Sequence, residues 1–314
     1  MFLSMPSFAR NQSATLVTFL LILQLIFVSC ASSKAPPTDN ASRRQIVDDS
    51  GASVSLPASV ERVVSLAPNL TEIVFAVGAG DRLVGRTSYC DFPAEAKSVA
   101  EVGDTLHPSL ERIIALKPQV VLVSTASQLE AFTKQLQGHD IAVFVTDPHD
   151  LAGVFRSIEQ IGEILGQTNN AKEVVEKLRS RATTVQEKVK DVSPVRVFYQ
   201  LSAKPLYTAG KDSFVNDLIR HAGGILVSGD VPGAWFKYSD ESALATRPEA
   251  IILPTGGSMG DTNTTVAEAL EQSPATLQGR VYKINGDHLV RPGPRALDGL
   301  EEMARALHPE VFKQ

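Results

Sequence analysis

Two glutamates, Glu111 and Glu241, stand in almost the same local sequence in the two halves of the chain. Ser109-Leu-Glu-Arg-Ile-Ile-Ala-Leu-Lys-Pro-Gln-Val-Val-Leu-Val and Ser239-Asp-Glu-Ser-Ala-Leu-Ala-Thr-Arg-Pro-Glu-Ala-Ile-Ile-Leu share Ser, Glu, Ala, a basic residue, Pro and an aliphatic run in register. A carboxylate in a first helical turn interacts with the helix dipole by about 0.3–1 kcal/mol, which accounts for either glutamate alone. The same carboxylate offered from an equivalent place in both halves is what a nearly two-fold partner requires. Trp235, the only tryptophan, sits in Val231-Pro-Gly-Ala-Trp-Phe, read as a Gly/Pro loop. Core tryptophans more often lie in strands or helices, so this ring is a candidate ligand surface.

The reactive side chains point away from catalysis. Cys90 follows a strand and reads as a small buried hydrophobe rather than a nucleophile. The six histidines (107, 139, 149, 221, 288 and 308) have no His-x-x-x-His or His-Glu-x-x-His spacing, so no local zinc site is expected. His288 adjoins Asp287 and reads as a surface or hydrogen-bonded histidine. Gly78-Ala-Gly80 and Gly256-Gly-Ser-Met-Gly260 match neither the P-loop nor the dinucleotide fingerprint, so no nucleotide site is expected in this chain. A secreted α/β hydrolase is the main rival of another class, but no Gly-x-Ser-x-Gly elbow is present and Ser258 lies in a glycine loop without a helix signal after it. The chain reads as a non-enzyme without a resident cofactor.

These residues are positioned by alternating strands and helices. Each repeat encodes a serine N-cap, a short helix ended by a basic residue and proline, and a buried parallel strand. Gln45–Pro57 forms a small hairpin, with Asp49-Ser50-Gly51 as its turn. Strands are expected at Arg62–Leu66, Arg82–Arg86, Gln119–Ser124 and Ile141–Thr146, with helices starting near Asn69 or Thr71 and at Ser109, Ser127 and Asp150. From Asn170 to about Val192, Val174, Val175, Leu178, Ala182, Val185 and Val189 recur every three or four residues, the pattern of one long amphipathic helix. A second βα series follows through Val195–Leu201, Ser213–Ala222, Glu249–Thr255, Thr265–Gln272, Arg280–Asn285 and a final helix near Pro294–Leu307. The fold class is α/β: two similar lobes with mainly parallel sheets, joined by the long helix, with a ligand cleft between them.

At 314 residues, 43% hydrophobic and 21% charged, the chain is long enough for two cored lobes. The formal charge is −5, and removing residues 1–29, whose one charged side chain is Arg10, takes away one cation and leaves −6. Nucleic acid is not an expected partner of such a surface. Leu16 to Val28 is nearly all apolar, too short to span a bilayer comfortably, and precedes small residues, as in a signal peptide. Phe27-Val28-Ser29-Cys30 resembles the lipobox of bacterial lipoproteins, in which the cysteine is lipidated. The organisation is therefore a signal peptide (1–29), a lipidated Cys30 with a polar tether (30–45, Arg43-Arg44 included), an N-terminal lobe (46–168), a linking helix (169–193) and a C-terminal lobe (194–314). The body would work outside the cytoplasm, lipid-anchored to a bacterial membrane or in the periplasm. With Cys30 lipidated, Cys90 has no disulfide partner.

Across about residues 60–310 the chain resembles the ABC-transporter substrate-binding proteins for cobalamin, haem and ferric siderophores. Arg62-Val-Val-Ser-Leu-Ala-Pro-Asn-Leu-Thr-Glu-Ile-Val-Phe-Ala-Val-Gly and the later Tyr199-Gln-Leu to Tyr207-Thr-Ala-Gly-Lys carry the likeness, which is greatest to the cobalamin-binding branch. That resemblance implies a cleft with an aromatic after the second strand, Tyr89, a tryptophan six residues before the second-lobe glutamate, Trp235, and an Asp-x-x-x-Arg pair, Asp287 and Arg291. The corrinoid is a broad apolar ring edged with amides, so flat aromatics and a rigid guanidinium fork suit it. Thr105 stands where that branch has another tryptophan and Leu201 where an aromatic is common, which implies a reshaped pocket. Under the alternative of haem or a ferric siderophore, a metal ligand is expected in the cleft, with His107 or Tyr89 the first candidates. Glu111 and Glu241 match the pair that docks on arginines of an ABC permease dimer, which works with its ATPase subunits.

Overall fold

The computed structural model describes residues 43–125, 130–257 and 265–313. The signal peptide, Cys30, most of the tether, the start of the helix expected at Ser127, and Ser258 lie outside the described residues. A hairpin of β1 (Arg43–Val47) and β2 (Ser53–Pro57) opens the body. Its turn is closed by Asp48, whose Oδ1 accepts the amides of Ser50 and Ala52, both at 3.0 Å. The tether therefore ends earlier than expected. Arg44 belongs to β1, and its Nη1 donates to the Glu163 carbonyl at 2.9 Å.

The N-terminal lobe is built on β3 (Val63–Ser65), α1 (Pro68–Ala76), β4 (Leu83–Arg86), α2 (Leu110–Ala115), β5 (Val120–Ser124), α3 (Glu130–Gln137), β6 (Ala142–Thr146) and α4 (Leu151–Ile164). Its four strands pair in parallel in the order β4-β3-β5-β6. Successive strand residues point to opposite faces: Val63, Val120, Leu122 and Phe144 enter one apolar cluster, and Val64, Val121, Val123 and Val143 another. Both faces are covered, as the unbroken aliphatic runs require.

The link is α5 (Thr168–Val189), 22 residues long against the 169–193 expected, or about 33 Å at 1.5 Å per residue. Ala171, Val175, Leu178, Ala182, Val185 and Val189 are its buried stripe. The cluster containing them runs from Val63 and Phe144 to Val197 and Leu297, so the two lobes share one continuous core along the helix.

The C-terminal lobe comprises β7 (Val195–Ala203), β8 (Leu206–Ala209), α6 (Phe214–His221), β9 (Gly224–Leu226), β10 (Trp235–Lys237), α7 (Asp240–Thr246), β11 (Ala250–Thr255), α8 (Pro274–Leu277), β12 (Val281–Asn285), α9 (Gly286–Val290), α10 (Ala296–Leu307) and α11 (Pro309–Phe312). Its sheet is mixed, ordered β10-β8-β7-β11-β12 with β9 also on β7; β8 and β10 are antiparallel to their neighbours. Two expectations change here. Trp235 is the first residue of a strand, paired with Ala209, rather than part of a loop. The helix expected over Thr265–Gln272 is only a 3-10 turn at Glu268–Leu270.

The repeat extends to conformation. Ser109 and Ser239 both cap, accepting the amides of Arg112 at 3.4 Å and Ser242 at 3.0 Å. Lys117 and Arg247 both take left-handed backbone, φ 47° and 45°. Arg62 Nε donates to the Leu116 carbonyl at 3.0 Å and Arg196 Nη2 to that of Thr246 at 2.7 Å, so each short helix has its last carbonyls satisfied by an arginine from a neighbouring strand end. The side chains of Gln119 and Glu249 then accept the amides of those same arginines, at 3.1 and 2.9 Å.

Candidate functional site

Serine capping sets the first turns of α2 and α7, and the first turns carry Glu111 and Glu241. Ile113 and Ala243 face inward and are fully buried, which turns both glutamates outward. Each is exposed, and neither hydrogen-bonds or ion-pairs with another described residue. Two such carboxylates are chemically available to cations of a partner.

The loop after β4 holds Tyr89, 51% exposed, and Phe92, 44% exposed. Beneath them Cys90 is buried, as expected of a small hydrophobe, and its Sγ lies 3.2 Å from Thr87 Oγ1. Thr105, half-buried, lies 3.3 Å from the same hydroxyl, so it fastens this loop to the segment carrying His107. His107 is exposed, its Nδ1 3.3 Å from Asp104 Oδ2. Amide hydrogen bonds from His107 and Leu106 hold the Asp104 carboxyl below its ordinary range.

On the other lobe Trp235 is 40% exposed, its ring 5.9 Å from that of Tyr199 and tilted by 48°. Tyr199 is fully buried, and its hydroxyl has no hydrogen-bond partner; burial pushes that phenol well above its ordinary range. Leu201, further along β7, is half-buried against the main core and also lines an open cavity of about 790 Å³ with Ala203, Val266 and Glu271. The described residues that line this cavity all belong to the C-terminal lobe.

Asp287 and Arg291 are not side chains exposed in a cleft. They are 3% and 5% exposed and belong to an ion network that crosses between lobes. Arg291 Nη1 lies 2.9 Å from Asp91 Oδ1 and 3.3 Å from Glu72 Oε1, and Nη2 lies 3.1 Å from Asp287 Oδ1. The same Nη2 donates to the Tyr89 carbonyl at 3.3 Å. Arg295 grips Glu72 with both prongs, Nε to Oε2 at 3.0 Å and Nη2 to Oε1 at 2.6 Å, and stacks 4.2 Å above the Phe92 ring. Asn69 Nδ2 adds a hydrogen bond to the Pro292 carbonyl at 3.3 Å. Partial burial pushes the Asp91 carboxyl up, but the Arg291 hydrogen bond and the charges of Arg291 and Arg295 outweigh it and hold that carboxyl below its ordinary range.

Glu72, Asp91, Phe92 and Arg295 were not singled out from the sequence. The available signal was Glu72 itself, a carboxylate inside the apolar run Leu70-Thr-Glu-Ile-Val, because a charge buried there demands a partner. His288 is half-buried, and its Nδ1 has no hydrogen-bond partner. Among the described residues no cluster of three or more His, Cys, Asp or Glu is arranged for a metal ion, and no helix is long and apolar enough to cross a membrane.

Comparisons with known proteins agree with this architecture. An uncharacterized ABC transporter substrate-binding lipoprotein of Bacillus subtilis is 32% identical, the match covering 94% of this chain and 97% of that one. A vitamin B12-binding protein of Photorhabdus laumondii is 28% identical, over 82% of this chain and 92% of its own. Among solved structures, the periplasmic vitamin B12 binding protein of Vibrio cholerae superposes with a TM-score of 0.71 at 26% identity, covering 81% of this chain and 99% of that one. A periplasmic heme-binding protein from Roseiflexus sp. RS-1 reaches the same TM-score at 23% identity, over 81% and 100% of the two chains, a likeness of fold alone. The model of the periplasmic binding proteins matches residues 63–287, and this chain belongs to that family of solute-binding proteins.

Proposed function

We propose that this chain is the extracytoplasmic solute-binding component of an ABC importer, tethered to a bacterial membrane through a lipidated Cys30, and that its ligand is a cobalamin-like corrinoid. The observation behind the docking half is the matched pair Glu111 and Glu241, exposed and without ionic partners among the described residues. Each would meet an arginine of one permease subunit. The ligand half is supported by the half-exposed Tyr89 and Trp235, one aromatic per lobe, in a chain similar to vitamin B12-binding proteins. No covalent step is involved. A core shared along α5 limits how far the lobes swing, so affinity would come from a largely pre-formed cleft. Docking would then release the ligand by drawing the lobes apart.

Isothermal titration of cyanocobalamin into the fragment Arg43–Gln314 tests the ligand. A one-to-one isotherm with submicromolar affinity supports the corrinoid; absence of binding removes it.

The Asp104–His107 pair favours a second reading. A carboxylate on Nδ1 leaves Nε2 facing outward as a metal ligand, which suits haem or a ferric siderophore. Titration with haemin would then give a shifted Soret band that His107→Ala abolishes; an unchanged spectrum sinks this reading.

A further inference from the structure

Each docking helix exposes more than its glutamate. On a helix, residues three and four positions on lie on the same face as the first. From Glu111 these are Ile114 and Ala115; from Glu241 they are Leu244 and Ala245. Leu244 is 56% exposed, Ala115 and Ala245 are exposed, and Ile114 is half-buried against the second apolar cluster. A single exposed leucine has no meaning by itself. Here an aliphatic side chain recurs at the same place in two copies, three residues after a carboxylate without an ionic partner. Packing within the C-terminal lobe does not require Leu244, since Ala243 already fills the inward position.

We infer that each docking contact has two chemically different parts, an anion at Glu111 or Glu241 and an apolar knob at Ile114 or Leu244. The partner is accordingly a two-fold membrane dimer presenting, once per subunit, a cation beside an apolar recess. This rests on the docking reading above and adds the recess to it. The two grips are unequal. Leu244 stands clear of its lobe and enters its recess fully, whereas Ile114 is already partly packed and gains less. The carboxylate selects and steers, because exposed charge attraction acts at a distance and is screened by salt. The aliphatic knob holds, because burial of apolar surface is insensitive to moderate salt.

That difference supplies the test. Arg44–Gln314 is one compact unit, so a labelled fragment starting at Arg43 keeps both lobes and the hairpin. Its saturable binding to cytoplasmic-membrane vesicles of the source bacterium is measured from low to high salt. Wild-type affinity should fall with salt to a floor rather than to zero. Leu244→Ser should weaken binding about tenfold at every salt concentration and so lower the floor tenfold, with the melting temperature unchanged. The pair Glu111→Ala and Glu241→Ala should flatten the salt dependence and leave the floor. Leu244→Ser binding as wild type overturns the apolar knob alone. A glutamate pair that binds as wild type overturns the docking reading, and absence of saturable binding by the wild type overturns both.

Discussion

The Arg291 guanidinium of the C-terminal lobe lies 2.9 Å from the Asp91 carboxylate of the N-terminal lobe. The same group also donates to the Tyr89 carbonyl at 3.3 Å, so a loop of one lobe is held in shape by a side chain of the other. Separation of the lobes must therefore break the hydrogen bonds that fix the backbone of Tyr89. If Tyr89 meets the ligand as proposed, ligand contact and lobe closure are linked through one side chain.

Asp91→Asn tests that link and spares Glu72, which keeps both arginines. The Asp91 side chain is 42% exposed, so solvent screening limits the pair to about 0.5–1 kcal/mol. Amides of the loop around Tyr89 should exchange with deuterium several-fold faster, while the melting temperature falls by only a few degrees. The pH dependence follows from a depressed folded-state pKa. The stabilisation is present above the ordinary value of 3.8 and is lost as pH falls through the lower folded value. Acid denaturation of wild type and Asp91→Asn should therefore converge in that acidic window and differ above it. Equal exchange in the two proteins would mean that Arg291 does not position the loop.

Glu72→Ala should be far more damaging. Glu72 is buried and takes a bidentate grip from Arg295 and a contact from Arg291, so its removal takes the hydrogen-bonded carboxylate from Arg295 and leaves Arg291 with Asp91 and Asp287 alone. Breaking a buried pair on one side costs about 3–5 kcal/mol. Urea denaturation should show that loss, and Glu72→Gln, which keeps hydrogen-bond acceptance but not the charge, should recover part of it.

The sequence displayed the central β5 and β11 and the long α5 clearly, because unbroken aliphatic runs and a three-four spacing are local signals. Strands β8 and β10 were not legible. Leu206–Ala209 and Trp235–Lys237 are four and three residues long, and their pairing depends on partners in other segments. The same limit applies to the ion network. Asp287 and Arg291 have the chemistry of a ligand clamp and of an ion pair alike. The ion pair becomes visible only in the fold, which brings Glu72 to Arg291 across 219 positions. The exposed pair Glu111 and Glu241 was legible because the repeat wrote it twice.

Arg247 offers a stabilising substitution. A non-glycine residue in left-handed backbone is strained by about 1–2 kcal/mol, and Arg247 sits at φ 45° with its side chain exposed. Glycine relieves that strain but loses more chain entropy on folding, by about 0.5–1 kcal/mol. Arg247→Gly should therefore raise stability by about 0.5–1 kcal/mol in urea unfolding. A loss would mean that the arginine side chain contributes to α7 or to the following turn.

Trp235 joins stability to recognition. One side of its ring rests on Tyr199 and the other is open, the placement of a residue that covers the core and also offers a surface to a ligand. Trp235→Ala would uncover Tyr199 and let water reach its unpartnered hydroxyl, which offsets part of the packing lost at this edge strand. Stability should fall by about 1–2 kcal/mol, well short of the 3–5 kcal/mol of a core aromatic. If the ring stacks on a corrinoid as proposed, cyanocobalamin affinity should fall in parallel by about 1–3 kcal/mol, or roughly 5- to 150-fold. Trp235→Phe keeps a flat ring and separates the two effects: it should restore most of the ligand affinity while leaving a small packing defect over Tyr199. Lost stability with unaltered affinity would assign Trp235 to the edge of the sheet alone.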